Sequence, residues 1–180
     1  TFECGADGDT LRIQGRNIGV VSFIGGTGAD SFTYNATGTN ATSVAFDAGD
    51  GSDFFGMRGS AATVSFLGGN GNDIVVLVGT GAMTINGGEG DDTYRFVSDL
   101  LADVILADTF TSAGDLSKDT LDFSSFTGGA VSLDLRLVNV WQSQGNGRLR
   151  VQISDGLSIE NVIGTPLADT IFGNARSNLI

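Results

Sequence analysis

Residues 66–77 read Phe-Leu-Gly-Gly-Asn-Gly-Asn-Asp-Ile-Val-Val-Leu, and the central hexapeptide, Gly68–Asp73, recurs along the first half of the chain. Copies stand at Gly25–Asp30, Ala48–Asp53 and Gly87–Asp92, with a degenerate copy at Cys4–Asp9. The copies begin at residues 4, 25, 48, 68 and 87, so successive starts are 21, 23, 20 and 19 residues apart. A period near 20 that tolerates small insertions is typical of a solenoid, in which each repeat forms one coil.

Apolar side chains fall at the same four positions of each repeat. These positions lie two and four residues after the loop Asp, and two and four residues before the next loop begins. They hold Leu11, Phe32, Phe55, Val75 and Tyr94; Ile13, Tyr34, Met57, Leu77 and Phe96; Val21, Val44, Val64 and Met83; and Phe23, Phe46, Phe66 and Ile85. Alternation at period two predicts short strands with one inward face. The sequence therefore predicts an all-β fold, a right-handed parallel β-solenoid (β-roll or β-helix) of about 20 residues per coil, with a ladder of Phe inside.

Composition excludes several classes of function. The 180 residues include 21 acidic and 9 basic residues, no His and 28 Gly, and the net charge is −12. Without His, the chain lacks the commonest general base and any Ser–His or Cys–His pair, so we expect no enzyme activity. Too few clustered cations are present to bind phosphates, so we expect no nucleic-acid partner. No apolar run is long enough for a transmembrane segment.

The loop Asp residues suggest a metal site. In a solenoid they form a column along one edge, with one carboxylate in each coil, and an unneutralised column of this kind repels itself. One interpretation is that each Asp merely caps its own turn. The interpretation we favour is that the carboxylates and turn carbonyls surround a hard cation, with calcium fitting better than magnesium because magnesium demands stricter octahedral geometry.

The pattern GGxGxDxUx at Gly25–Thr33, Gly68–Val76 and Gly87–Arg95 resembles the RTX calcium-binding repeats of secreted bacterial proteins. The resemblance implies a parallel β-roll, calcium in the glycine turns and folding only after export into calcium. RTX arrays usually repeat every nine residues and bind calcium along both edges. This chain has one glycine loop in each longer coil, so we expect calcium along a single edge. The predicted calcium ligands are Asp9, Gly26, Gly28, Asp30, Gly49, Gly51, Asp53, Gly69, Gly71, Asp73, Gly88, Gly90, Asp92 and Asp169.

The regular coils are expected to span residues 1–97, and the period is lost over 98–163. We expect larger coils that continue the solenoid there, with a separate small domain as the alternative. Ser98–Ala107 is compatible with a short helix or a looped-out segment, and Gln144–Gly147 predicts a hairpin turn. Residues 164–180 return to a nine-residue repeat that places Asp169 and Asn178 at the loop Asp position. This ending is what we expect of a piece of a longer array.

The sequence favours a calcium-dependent structural or adhesive module of a large secreted or cell-surface protein. Such a module would fold on extracellular calcium and assemble with neighbouring copies into a filament or surface layer. The alternative is a non-catalytic, calcium-stabilised module of an exported lipase, protease or alginate epimerase, and the flanking sequence would distinguish the two. The sequons at Asn35 and Asn40 are short enough to arise by chance and carry little weight.

Overall fold

The chain forms stacked β-coils throughout the part that the computed structural model describes, which is residues 1–16, 19–36, 41–98, 101–108 and 116–180. These residues are all-β, with no helix. They build a β-solenoid of about 5 turns, with about 21 residues from one turn to the next. The predicted fold class is therefore confirmed. Thr37 and Asn40, which belong to the two sequons, lie outside the described residues.

Two large sheets face each other across the solenoid. The eight-stranded sheet runs in the order β1 (Phe2–Glu3), β3 (Val20–Thr27), β5 (Ala41–Asp50), β7 (Ser60–Asn70), β9 (Thr80–Glu89), β11 (Ala102–Leu106), β15 (Leu149–Ile153) and β14 (Gln142–Gln144). The seven-stranded sheet runs in the order β16 (Asn161–Ile163), β12 (Thr120–Phe126), β10 (Thr93–Ser98), β8 (Ile74–Leu77), β6 (Phe54–Met57), β4 (Ser31–Ala36) and β2 (Thr10–Gly15). A small third sheet pairs β13 (Ser132–Asp134) with β17 (Thr170–Phe172).

Parallel register holds the coils in phase. Phe46 of β5 pairs with Phe66 of β7, and Gly49 pairs with Gly69, so the loop glycines extend the same ladder as the apolar residues. Each regular coil contributes one strand to each of the two large sheets, which places equivalent positions of successive coils one strand spacing apart. Side chains at the same repeat position consequently form columns along the solenoid axis.

The core is the apolar column predicted from the sequence. Of the eighteen predicted inward positions, sixteen are buried in a single cluster, and Leu11 and Ile13 of the first coil are partly buried against it. The Phe rings pack along the axis, with centroids 5.0 Å apart for Phe23–Phe46 and 5.5 Å apart for Phe46–Phe66. Aromatic pairs at such distances add about 0.5–1.5 kcal/mol to what burial alone contributes.

Two positions on the outward face of the seven-stranded sheet are covered rather than exposed. Gly56 faces away from the core, yet it is buried, because the ring of Phe54 on the same strand folds over it. Val76, at the equivalent position of the next coil, is buried as well. The outer face of the seven-stranded sheet is therefore partly apolar at this point.

The irregular region continues both large sheets. Residues 102–106 form strand β11, paired in parallel with β9 and β15, so this part of Ser98–Ala107 is neither a helix nor a looped-out segment. Strand β12 pairs with β10, and β16 pairs with β12. The predicted hairpin is confirmed, because β14 and β15 pair antiparallel and the Gly147 amide donates to the Gln144 carbonyl.

Candidate metal site

An acidic residue directly precedes each strand of the seven-stranded sheet. Strand pairing aligns the loop Asp residues with one another, and the pairing of β10, β12 and β16 extends the column into the irregular coils. We call this column the aspartate ladder, and its members are Asp9, Asp30, Asp53, Asp73, Asp92, Asp119 and Glu160.

Each rung of the aspartate ladder bonds to the next through one carboxylate oxygen. The Asp30 amide donates to Asp53 Oδ1 at 2.6 Å, and the Asp53 amide donates to Asp73 Oδ1 at 2.7 Å. The same bond joins Asp9 to Asp30, Asp73 to Asp92, Asp92 to Asp119 and Asp119 to Glu160, at 2.7–2.9 Å. The interpretation that each Asp caps its own turn therefore does not describe Asp30, Asp53, Asp73 and Asp92, whose carboxylates cap the preceding coil. Within the ladder it holds at Asp9, whose Oδ2 accepts the Gly5 amide of its own turn at 3.5 Å.

The second carboxylate oxygen has no partner in the four regular rungs. Asp30, Asp53, Asp73 and Asp92 are 1–2% exposed, and the Oδ2 atom of each is buried without a hydrogen bond. In the described part of the chain, none of the four forms an ion pair with Lys or Arg. A buried carboxylate that lacks a counter-charge is costly, so the ladder requires a proton or a cation at each of these oxygens.

The pKa values of the ladder rise along the chain from Asp73 to Asp119. Burial raises the pKa of Asp73 to about 7 against the opposing effect of the Asp53 amide, and the neighbouring Asp53 charge raises it further. Burial raises the pKa of Asp92 to about 8, with the Asp73 and Asp108 charges adding to the rise. Burial, followed by the charge of Asp108, holds the pKa of Asp119 well above its usual range. Without a bound cation, these carboxyls would hold protons near neutral pH.

The predicted loop glycines all adopt the conformation that favours Gly. The eight residues have φ values between 101° and 144°, and they are Gly26, Gly28, Gly49, Gly51, Gly69, Gly71, Gly88 and Gly90. Loop amides bond to carbonyls of the next coil, as from Gly51 to Asn70 at 2.7 Å. A carbonyl has two lone pairs, so this bonding leaves an electron pair that could ligate a cation. The loop is thus compatible with the predicted carbonyl ligands.

The two ends of the aspartate ladder differ from its middle. Asp9 is only partly buried, in keeping with its place in the first coil. At the other end Glu160 is 2% exposed and forms an ion pair with Arg176, whose Nη2 also donates to the Ser117 carbonyl at 3.0 Å. The last rung thus has the counter-charge that the four regular rungs lack.

Asp169, the remaining predicted ligand, has different surroundings. Its Oδ2 accepts the Thr165 amide at 2.7 Å, and its Oδ1 accepts the Val131 amide at 2.8 Å. Asn178 accepts the Asn174 amide in the same way, four residues back in its own turn. Own-turn capping, one of the two sequence-based interpretations, is thus what the C-terminal repeats show.

A buried cluster of three carboxylates lies where the regular coils meet the irregular ones. Asp92, Asp108 and Asp119 each place one oxygen within 4.8 Å of the others, and such a group could hold a metal ion. Asp108, Asp119 and Glu160 lie outside the glycine-loop repeat, so the repeat pattern does not predict them as ligands. Asp119-Thr120-Leu121 repeats the pattern of the regular coils, in which an Asp is followed by a strand with an apolar second residue. No glycine loop precedes it, so the repeat is hard to recognise from sequence.

Comparison with models of protein families, with curated proteins and with solved structures gave no match. The resemblance to RTX repeats therefore rests on the residues quoted above. Among the described residues, no helix has the length and apolar character needed to cross a membrane.

Proposed function

We propose that the chain is a calcium-dependent structural module in which calcium neutralises the aspartate ladder. The observation that supports this is the set of four buried, partnerless Oδ2 atoms, one in each regular coil. Each lies beside a glycine loop whose carbonyls retain a free lone pair. Oxygen donors of this kind suit a hard cation, and calcium accepts the irregular geometry of a loop more readily than magnesium does.

Neutralisation by protons would be the alternative to a cation. Protons suffice only where the pKa of the carboxyl exceeds the ambient pH, and the pKa of Asp73 is about 7. Above neutral pH a proton-neutralised ladder would lose its stability, whereas a calcium-neutralised one would keep it. Calcium would therefore keep the ladder stable at and above neutral pH, where protons alone would not.

The expected energies are large enough to control folding. A loop that supplies roughly one carboxylate should bind calcium weakly, with Kd of about 10⁻⁴–10⁻³ M as in extracellular modules. At ten times Kd each site adds about 1.4 kcal/mol, so four sites add about 5–6 kcal/mol. That equals the entire stability of many domains, so calcium would decide whether the chain folds.

The proposed setting is the outside of a cell. Free calcium inside cells is too low to fill such weak sites, so the acidic chain would stay unfolded for export and fold once secreted. A module of this kind would serve a large secreted or cell-surface protein, with adhesion or assembly with neighbouring copies as its role. In an exported enzyme it would serve as a non-catalytic stabilising module.

Far-UV circular dichroism and thermal melting, in millimolar calcium and in chelator, test the proposal. We expect a β spectrum and a high Tm in calcium, and loss of both in chelator near pH 8. The D53N/D73N double variant, which removes two of the four regular ladder carboxylates, should lose about half of the calcium-dependent gain in Tm. The D47N variant, which neutralises an exposed Asp on strand β5, should keep that gain. An unchanged β spectrum and Tm in chelator at pH 8 would refute calcium dependence.

A further inference from the structure

The carboxylate cluster arises because an Asp occupies a position that is Gly in three of the four regular loops. Strand pairing aligns Ile85 with Leu106, and this register places Asp108 opposite Gly87, the first residue of a glycine loop. A Cβ added to Gly87 would lie 1.9 Å from Asp92 Oδ2. At the equivalent position of the next coil, the side chain of Asp108 is buried, 1% exposed.

Tyr94 connects Asp108 to the regular coils. Its hydroxyl donates to Asp108 Oδ2 at 2.5 Å and accepts the Gly87 amide at 2.9 Å. Asp119 Oδ1 accepts the Asp92 amide at 2.9 Å. Backbone and phenol groups thus fix all three carboxylates, so little ordering would be required when a ligand binds.

An unused oxygen points into this cluster. Asp92 is 1% exposed, and its Oδ2 has no hydrogen-bond partner. The same added Cβ on Gly87 would also lie 2.5 Å from Tyr94 Oη, so Asp92 Oδ2 and the phenol face one small space. The partnerless oxygen and the converging carboxylates are separate observations, and both indicate a cation as the ligand.

We propose that Asp92, Asp108 and Asp119 form a discrete site for a hard, oxygen-seeking cation such as calcium, tighter than the glycine-loop sites. Affinity in such sites rises with the number of charged ligands, and this cluster offers three carboxylates where a loop offers one. Asp92 belongs to a regular coil and the other two to the irregular region, so the bound ion would join the two. This goes beyond the ladder proposal, because the cluster would bind a cation even if protons neutralised the other rungs.

Terbium luminescence tests the site directly, because Tb³⁺ takes calcium's ligands and emits when a nearby phenol absorbs. We expect the first equivalent of Tb³⁺ to give tyrosine-sensitised emission that calcium displaces. The Y94F variant should lose that emission while its Tb³⁺ content, measured by mass spectrometry, stays at one tight equivalent. The Y34F variant is the control. Tyr34 is also buried, but it lies four residues after its loop Asp, whereas Tyr94 lies two residues after Asp92. Y34F should leave the emission unchanged. Full emission from Y94F would overturn the assignment.

The D108N variant separates ligation from a structural role by the sign of its effect. In chelator the variant should melt higher than the wild type, because it removes one acidic group from a crowded, buried cluster. In calcium it should melt lower, with tight-site affinity reduced by at least about 10-fold. Equal shifts of the same sign in both media would overturn the proposal. The D53N/D73N variant, by contrast, should still bind the first equivalent of Tb³⁺ tightly, because it leaves the three-carboxylate cluster intact. Failure of the ladder proposal and failure of the cluster proposal would therefore give different results.

Discussion

At the residue scale, the fourth residue of the two central glycine loops leaves no room for a side chain. Gly51 has φ of 144°, and a Cβ placed on it would lie 1.8 Å from the Gly28 carbonyl oxygen. The equivalent Cβ on Gly71 would lie 1.9 Å from the Gly51 oxygen. Glycine is required here both by the backbone conformation and by the close approach of the neighbouring coil.

We expect G51A to lower the free energy of unfolding by roughly 3 kcal/mol, because it adds a steric clash to an unfavourable φ. The matched control is G147A, at φ of 79° in a hairpin turn where an added Cβ meets no atom within 4 Å. That variant should cost only about 1 kcal/mol, the conformational part alone. Urea unfolding in saturating calcium measures both, and equal losses would show that inter-coil contact plays no part.

At the scale of strands and loops, the sequence predicts the elements that repeat and fails where the repeat changes length. Period-two alternation places residues such as Phe46 and Val64 on inward faces, and the structure buries both. The positive φ of Gly49 follows from the loop pattern as well. These features depend on local spacing, which is visible in one sequence.

The parts that sequence reasoning missed depend on the path of the chain in space. Whether a loop Asp faces solvent or the interior is set by how the turn folds back, so the burial of Asp73 was not foreseen. Asp108 and Glu160 join the site through strand register across insertions, which spacing alone does not reveal. Strand β11 was ambiguous because five apolar-rich residues suit a helix or a strand equally.

The ion pair at the last rung leads to a prediction about the aspartate ladder as an element. We expect R176A to lower the free energy of unfolding by about 3 kcal/mol, because it leaves the buried Glu160 carboxylate without its counter-charge. The E160Q/R176A double variant should recover part of the loss. R136A, which breaks an exposed pair with Asp134, should cost no more than about 1 kcal/mol. If R176A and R136A lower the free energy of unfolding equally in chemical denaturation, Arg176 does not act as the counter-charge of buried Glu160.

At the scale of the whole molecule, the ladder couples stability to pH with a definite sign. In chelator, the folded protein holds protons on Asp73 and Asp92 up to pH of about 7 and 8, whereas the unfolded chain releases them near 3.8. The folded state therefore binds more protons across this window, and stability falls as pH rises through it. Below pH of about 4, the stabilising contribution of protonated Asp73 and Asp92 is fully present.

We expect the Tm in chelator to fall steadily from pH 4 to pH 8, and the gain in Tm on adding calcium to grow over the same range. Calcium needs deprotonated carboxylates, so it competes with protons and benefits from higher pH. Differential scanning calorimetry at matched ionic strength measures both trends. The D73N/D92N variant should flatten the fall in chelator, and a Tm that rises with pH in chelator would contradict the proposed origin.

The aspartate ladder also gives the molecule a polarity. From Asp9 to Asp119, the backbone amide of each ladder residue donates to the carboxylate of the next ladder residue. The stacked strands of successive coils run parallel. The first and last coils therefore present unlike edges, and copies could continue the stack only head to tail. Head-to-tail contacts build an open fibre wherever the rotation between successive copies does not close a ring.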